Sequence, residues 1–306
     1  MQRDVFFVTL PGALALDLTG PAETLRLSGQ FTLHYISPLN EVELTTGLVV
    51  SRLRPLPSEL PDNSIIMVPG VSNSSTQFDT EPAKICRDWL AAQKPAIEQG
   101  RLQLVCICSG SLLAGMAGLL DGYQCTSHHD VISRLRERVP AALVKDNRIF
   151  VEDRQVLTSA GITAGIDLAL YLITQHLGPQ AALDVAREMV VYFRRAGEDP
   201  QLSPWLQHRN HLHPAVHRAQ NIISSDPESD WQVEDVAAKA HVSSRHLTRL
   251  FRQYVGISVR DYHEQLRIAV ARQRLQQGLN QEKAALAAGF SSARQLRRAL
   301  LRWKPE

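Results

Sequence analysis

The sequence predicts two units of different class: an α/β unit whose parallel sheet is sandwiched by helices, followed by an all-α unit with two helix-turn-helix repeats. Three observations carry this. Short apolar runs alternate with longer amphipathic stretches across residues 1–192, whereas residues 214–306 read as helix throughout. A seven-residue pattern beginning at Ala237 returns at Ala285, 48 positions later. Charge divides the same way: residues 1–213 hold 18 Lys and Arg against 22 Asp and Glu, while residues 239–304 hold 14 against 3. A net charge of +2 therefore hides a mildly acidic body and a strongly basic end, for which double-stranded DNA is the first partner to consider.

The α/β elements follow in order. Val5–Leu10 is an apolar run closed by Pro11-Gly12 and reads as a buried strand. An amphipathic stretch near Pro21–Ser28 is followed by a second strand at Phe31–Ile36, and Ser64–Val68 ends at Pro69-Gly70. One helix is predicted from Glu81 to about Glu98, then strands at Leu102–Cys106 and Val156–Thr158, and a long apolar helix from Ala164 to Leu177. At 306 residues with 44% hydrophobic and 21% charged side chains, the chain suits two globular domains and excludes collagen-like or wholly disordered classes. No apolar run is long enough to span a bilayer, and the start lacks a signal-peptide pattern, so no membrane partner and a cytoplasmic location are expected. Cys86, Cys106, Cys108 and Cys125 form no C-x-x-C pair, which favours reduced thiols over a disulfide framework or zinc knuckle. No metal and no cofactor are expected.

The pattern breaks over residues 193–213, read as a linker, with His208, His211, His213 and nearby His217 as solvated linker histidines. Beyond it, Ala237-Ala238-Lys239-Ala240-His241-Val242-Ser243 is echoed by Ala285-Leu286-Ala287-Ala288-Gly289-Phe290-Ser291. The alanine permits close helix approach, His241 and Gly289 take the turn, and the serines are expected to cap the next helix. Leu247, Leu250, Phe251 and Tyr254 recur at helical spacing and should face inward, as should Leu296, Ala299 and Leu300. Ser244, Arg245, His246, Thr248, Arg249 and Arg252 then project outward from the first copy, and Ser292, Arg294, Gln295, Arg297, Arg298 and Arg302 from the second. Two turns, each followed by a basic helix, are a layout for reading DNA.

These residues resemble the DNA-binding domain of AraC-type regulators: Trp231–Gly256 matches the first helix-turn-helix, Ser258–Gln277 the connecting helix, and Gln281–Arg302 the second. The first unit has its own resemblance. Cys106-Ile107-Cys108-Ser109-Gly110-Ser111 places a thiol on a strand-to-helix turn, where a helix N-terminus favours the thiolate. With Leu16–Pro21, Ala117–Gly122, Thr126-Ser127-His128 and Gly161–Asp167, it is similar to the class I glutamine-amidotransferase-like superfamily that includes PfpI proteases and isonitrile hydratase. That resemblance implies a flavodoxin-like fold with Cys108 at the nucleophile position. It also implies oxyanion-hole amides at Gly70 and Val71, an acidic neighbour at Asp17 and a histidine at His128, with His129 in place of the family's tryptophan. Cys108, His128 and Asp17 are thus the catalytic candidates. Asp17, Gly70, Val71, Cys108, Ser109, His128 and Thr163 are the candidate ligand-binding set.

The combination resembles a branch of AraC regulators whose first domain senses small, nitrogenous metabolites. It implies a regulator, possessing a small-molecule effector, RNA polymerase as a further partner and a homodimer formed through the first domain, with Leu168–Leu177 and Ala181–Val191 as candidate contact helices. An activator is expected rather than an enzyme. The alternative is a cysteine-dependent hydrolase or hydratase fused to a DNA-binding domain.

Overall fold

The structure, a computed structural model, describes residues 2–191, 195–198, 201, 208, 211, 213–276 and 278–303. It divides into two units between Gln201 and Leu202. In the first, β1 (Arg3–Val8), β2 (Phe31–Ile36), β5 (Ile65–Val68), β6 (Gln103–Ile107), β9 (Phe150–Asp153) and β10 (Val156–Ser159) form one sheet in the order β2-β1-β5-β6-β10-β9. All neighbours run parallel except β9, which pairs antiparallel with β10 and departs from the expected parallel pattern. Its sequence, Phe-Val-Glu-Asp, has a polar half suited to an edge and lacks the continuous apolar run that marks β5 and β6. Two small pairs, β3 (Glu41–Glu43) with β4 (Val49–Ser51) and β7 (Gln124–Cys125) with β8 (Leu143–Val144), lie outside this sheet.

Helices α1 (Ala15–Leu27), α2 (Ser74–Gln77), α3 (Glu81–Ala92), α4 (Lys94–Glu98), α5 (Gly110–Met116), α6 (Ile132–Arg138), α7 (Ala164–Leu177) and α8 (Pro179–Glu188) complete the unit. The single helix expected over residues 81–98 is broken at Gln93. Pro95 has no N–H with which to continue the ladder, and the Ala96 and Ile97 amides turn back to the Gln93 carbonyl instead. Every residue of β5 and β6 is buried, so their carboxyl ends are fixed by core packing. Those ends deliver Gly70 and Cys108 side by side, as expected for a site at the carboxyl edge of a parallel sheet.

The second unit consists of α9 (Pro214–Ser225), α10 (Val233–Lys239), α11 (Ser244–Tyr254), α12 (Val259–Gln276), α13 (Gln281–Ala287) and α14 (Ala293–Arg302). Its repeats have separate cores: Val236, Leu247, Phe251 and Tyr262 belong to the first, Ala285, Phe290, Leu296 and Ala299 to the second. α12 serves both, through Tyr262 and Leu266 on one side and Ile268 and Ala271 on the other.

The histidines are not solvated linker residues. His208 bonds Gln265, His211 bonds Gln220, His217 bonds the His211 carbonyl, and His213 packs on the Tyr254 ring at 4.8 Å. All four are half-buried: the rings of His208, His211 and His217 find polar partners, and that of His213 packs on an aromatic face. Tyr254 also departs from expectation, being 42% exposed at the end of α11 rather than inside. None of the described helices is long and apolar enough to cross a membrane.

Candidate functional site

Cys108 follows β6 with φ 56°, a left-handed conformation unusual for a side chain of this kind. Its backbone is held there by its amide bond to Ser159 O and by two hydroxyls, Ser111 Oγ and Ser127 Oγ, which donate to its carbonyl at 3.0 and 2.9 Å. The close approach of the neighbouring chain requires glycine: a Cβ at Gly161 would lie 2.1 Å from Cys108 Cβ, and one at Gly70 would lie 2.6 Å from Asp17 Oδ2. Asp17 enters from α1 after β1, Gly70 and Val71 follow β5, and Ile162 and Thr163 follow β10. Four adjacent strands thus place one wall element each around the thiol.

Asp17 is fully buried, and desolvation raises its pKa to about 6. The Ile162 amide, which donates to Asp17 Oδ1 at 2.5 Å, the Cys108 thiol and the Gly70 amide pull it back part of the way. The thiol shifts upward too, first by burial and then by the neighbouring Asp17 charge, against a smaller opposing effect from the Ser109 amide. This runs against the expectation that the helix N-terminus favours the thiolate: α5 is short, and burial and the Asp17 charge both push the thiol, only 5% exposed, upward. The other three cysteines are likewise buried free thiols.

The amides at Gly70 and Val71 do not form an open oxyanion hole. Val71 N donates to Ser109 Oγ at 2.9 Å, and the same hydroxyl returns a bond to Val71 O at 3.0 Å. Among the described residues no hydrogen bond joins Cys108 Sγ to His128. The His128 ring instead packs, tilted, against His129 with centroids 4.2 Å apart and accepts from the Asp130 amide at Nδ1, while burial and then its histidine neighbour shift its pKa downward. His128, His129 and Asp130 could together offer a metal three ligand atoms within 4.8 Å, but His129 Nδ1 and Asp130 Oδ1 already pair at 2.9 Å. The structure thus brings Asp17, Gly70, Cys108 and Ile162 together, commits Val71 and Ser109 to each other, and leaves Thr163 exposed at the start of α7.

Arg195 and Gln201 are site neighbours that the sequence reading assigned to the linker. Arg195 forms a partly buried ion pair with Asp167 and reaches Thr163 Oγ1 at 2.8 Å; Gln201 Nε2 donates to Ser127 O at 2.7 Å. A separate open cavity of about 290 Å³ lies over the β2 edge, lined by Asp4, His34, Arg54 and prolines, and involves none of the expected residues.

In the second unit the two turns take left-handed backbone at His241 (φ 58°) and Gly289 (φ 79°), as the repeat predicts. Ser243 Oγ caps α11 by accepting from His246 N. The second cap is Ser292, not Ser291, because the second turn is one residue longer. Ser291, the residue before the cap, instead donates through both N and Oγ to Gln295 Oε1. Arg245, His246, Thr248, Arg249, Arg252, Arg294, Gln295, Arg297, Arg298 and Arg302 are exposed, and Ser244 and Ser292 are half-exposed. Arg302 is already paired, at 2.7 Å with Asp261 and 3.4 Å with Glu264.

A helix-turn-helix domain profile matches residues 236–305, and a DJ-1/PfpI family profile matches residues 3–175. The HTH-type transcriptional regulator GbdR of Pseudomonas aeruginosa is 31% identical over 210 residues, 68% of this chain and 56% of the relative, so the chain spans just over half that protein's length. The HTH-type transcriptional regulator CdhR of the same species is 28% identical over 302 residues, 95% of this chain and 86% of the relative. The crystal structure of an AraC family transcriptional regulator from Pseudomonas putida shares the fold at a TM-score of 0.52 and 21% identity, covering 61% of this chain and 99% of that one.

Proposed function

Since the chain belongs to the DJ-1/PfpI family and carries a helix-turn-helix domain, we propose that it is a sequence-specific DNA-binding transcriptional regulator whose α/β unit senses a small molecule. The observation that carries this reading is the pair of serine-capped basic helices, α11 and α14, each behind its own turn and each with exposed arginines. In this reading Arg245, His246 and Arg249 reach base edges from the first turns of α11, with Arg294, Arg297 and Arg298 doing so from α14. Arg252 and Thr248 flank them toward phosphate.

The effector is a small nitrogenous molecule. A buried carboxylate at Asp17 suits an N–H donor, and a charged donor paired with it forms the stronger, charge-assisted bond. The chain acts as a cytoplasmic homodimer and an activator that contacts RNA polymerase. Exposed Leu177 at the end of α7, Leu183 on α8 and Val190 just past it supply apolar surface for the dimer. The hydrolase or hydratase alternative needs a base on the thiol and free oxyanion donors. Here burial and Asp17 push the thiol away from its nucleophilic form, no bond among the described residues joins it to His128, and Val71 N is spent on Ser109.

The test is fluorescence anisotropy of the full chain on DNA fragments recovered by genome-wide binding. Affinity should fall steeply with salt, with a log–log slope of about −0.9 for each phosphate contact made. Salt-insensitive binding, or none at low salt, overturns the DNA reading.

A further inference from the structure

One buried acceptor beside the Cys108 site lacks a donor: Gln201 Oε1, on a side chain only 9% exposed. An orphaned buried acceptor is costly, and a donor on a bound molecule removes the cost. Gln201 is held in register by its other amide atom. Nε2 donates to Ser127 O, and Ser127 Oγ donates to Cys108 O, so Gln201 is two hydrogen bonds from the thiol residue. The Nε2 bond also fixes the amide orientation and identifies the free atom as the carbonyl oxygen.

The other end of the same segment reaches the Asp17 side of the site. Arg195 donates through its amide and Nε to the two Asp167 oxygens, each at 2.9 Å, and through Nη2 to Thr163 Oγ1. Thr163 directly follows Ile162, whose amide holds Asp17. Between the two anchors, Gly197 O accepts from Phe150 N and Glu198 O from Arg148 Nη1. Gln201 is the last residue of the first unit, and the next residue begins the second.

We propose that Gln201 is a ligand-contacting residue of the Cys108 site and that its ligand is a small hydrogen-bond donor. This rests on the sensing role proposed above and adds a residue and a ligand chemistry. Nε2 holds the Gln201 amide in place, and a donor at Oε1 ties down its second atom.

The experiment is hydrogen–deuterium exchange of the full chain, read at residues 195–201 and at residues 126–131, which include Ser127 and His128. The probes are methylammonium and formamide, which carry N–H donors, against tetramethylammonium at equal concentration, which carries none. The donor probes should slow exchange at 195–201 several-fold in the wild type. Gln201→Leu should abolish that protection while 126–131 still responds, and Gln201→Glu, which keeps an acceptor, should retain part of it. Equal protection of 195–201 in Gln201→Leu and wild type overturns the proposal. Protection confined to 126–131 removes the role of Gln201 and leaves sensing intact. No protection of either segment by either donor overturns the donor chemistry and the sensing role together.

Discussion

Replacing Asp17 with Asn should make the α/β unit more stable relative to wild type as pH rises. Asp17 ionises near pH 3.8 in the unfolded chain and near 6 in the fold, because burial disfavours its charged form. This is the reverse of the usual carboxylate. The penalty is absent below the unfolded value, grows as pH climbs from about 4 to 6, and is complete above the folded value. A displacement of roughly two pH units amounts to about 3 kcal/mol, of which between about 1 and 2 kcal/mol develops between pH 5 and pH 7.5. Asn retains an acceptor for the Ile162 amide, so the pH-independent part of the substitution is small and constant across the series. Urea unfolding of the full chain, followed by exchange protection of β5 and β6, reports this unit alone. A stability difference between Asp17→Asn and wild type that stays flat from pH 5 to 7.5 would refute the claim that burial controls this carboxylate.

Alkylation of Cys108 should be far slower than that of a free thiol at neutral pH, and Asp17→Asn should speed it by removing the adjacent charge; mass spectrometry of iodoacetamide adducts checks both. Arg245→Ala or Arg249→Ala should cost about 1–3 kcal/mol at one base position, whereas Arg252→Ala should weaken all sequences alike and flatten the salt slope by about one contact. Binding-site selection on each variant decides, and uniform loss from all three removes the base-reader assignment. Ser243→Ala and Ser292→Ala should each destabilise the second unit by about 1 kcal/mol in urea melts, with Ser291→Ala also costly because of its bonds to Gln295.

What was legible in the sequence follows from how local its cause is. The bounds of Phe31–Ile36 and Ala164–Leu177 match the structure at both ends, because uninterrupted apolar or periodic runs meet clear breakers. The positive backbone angles at His241 and Gly289 were equally readable, since the repeat supplies its own control. Pairings between distant residues were not. Val71 with Ser109 spans 38 positions, Arg195 with Asp167 spans 28, and Gln201 with Ser127 spans 74. No periodicity encodes such contacts, and these are the ones that close the oxyanion amide and dock the chain leaving the first unit. The thiol follows the same logic: a strand-to-helix turn announces the position of Cys108, but the burial and the carboxylate that push its pKa upward come from tertiary packing. The histidines after residue 207 looked solvated because their partners, Gln220, Tyr254 and Gln265, lie on helices further along the chain.

The extra residue in the second turn gives the DNA-reading unit a direction. α11 starts directly behind its turn with free side chains in its first coil, while α14 starts one residue later, with Gln295 occupied by Ser291 and Arg302 by Asp261. Two readers so unequal will not recognise two copies of one word. If the two helices read DNA as proposed, the site they read has a direction, and its inverted copy is not the same site.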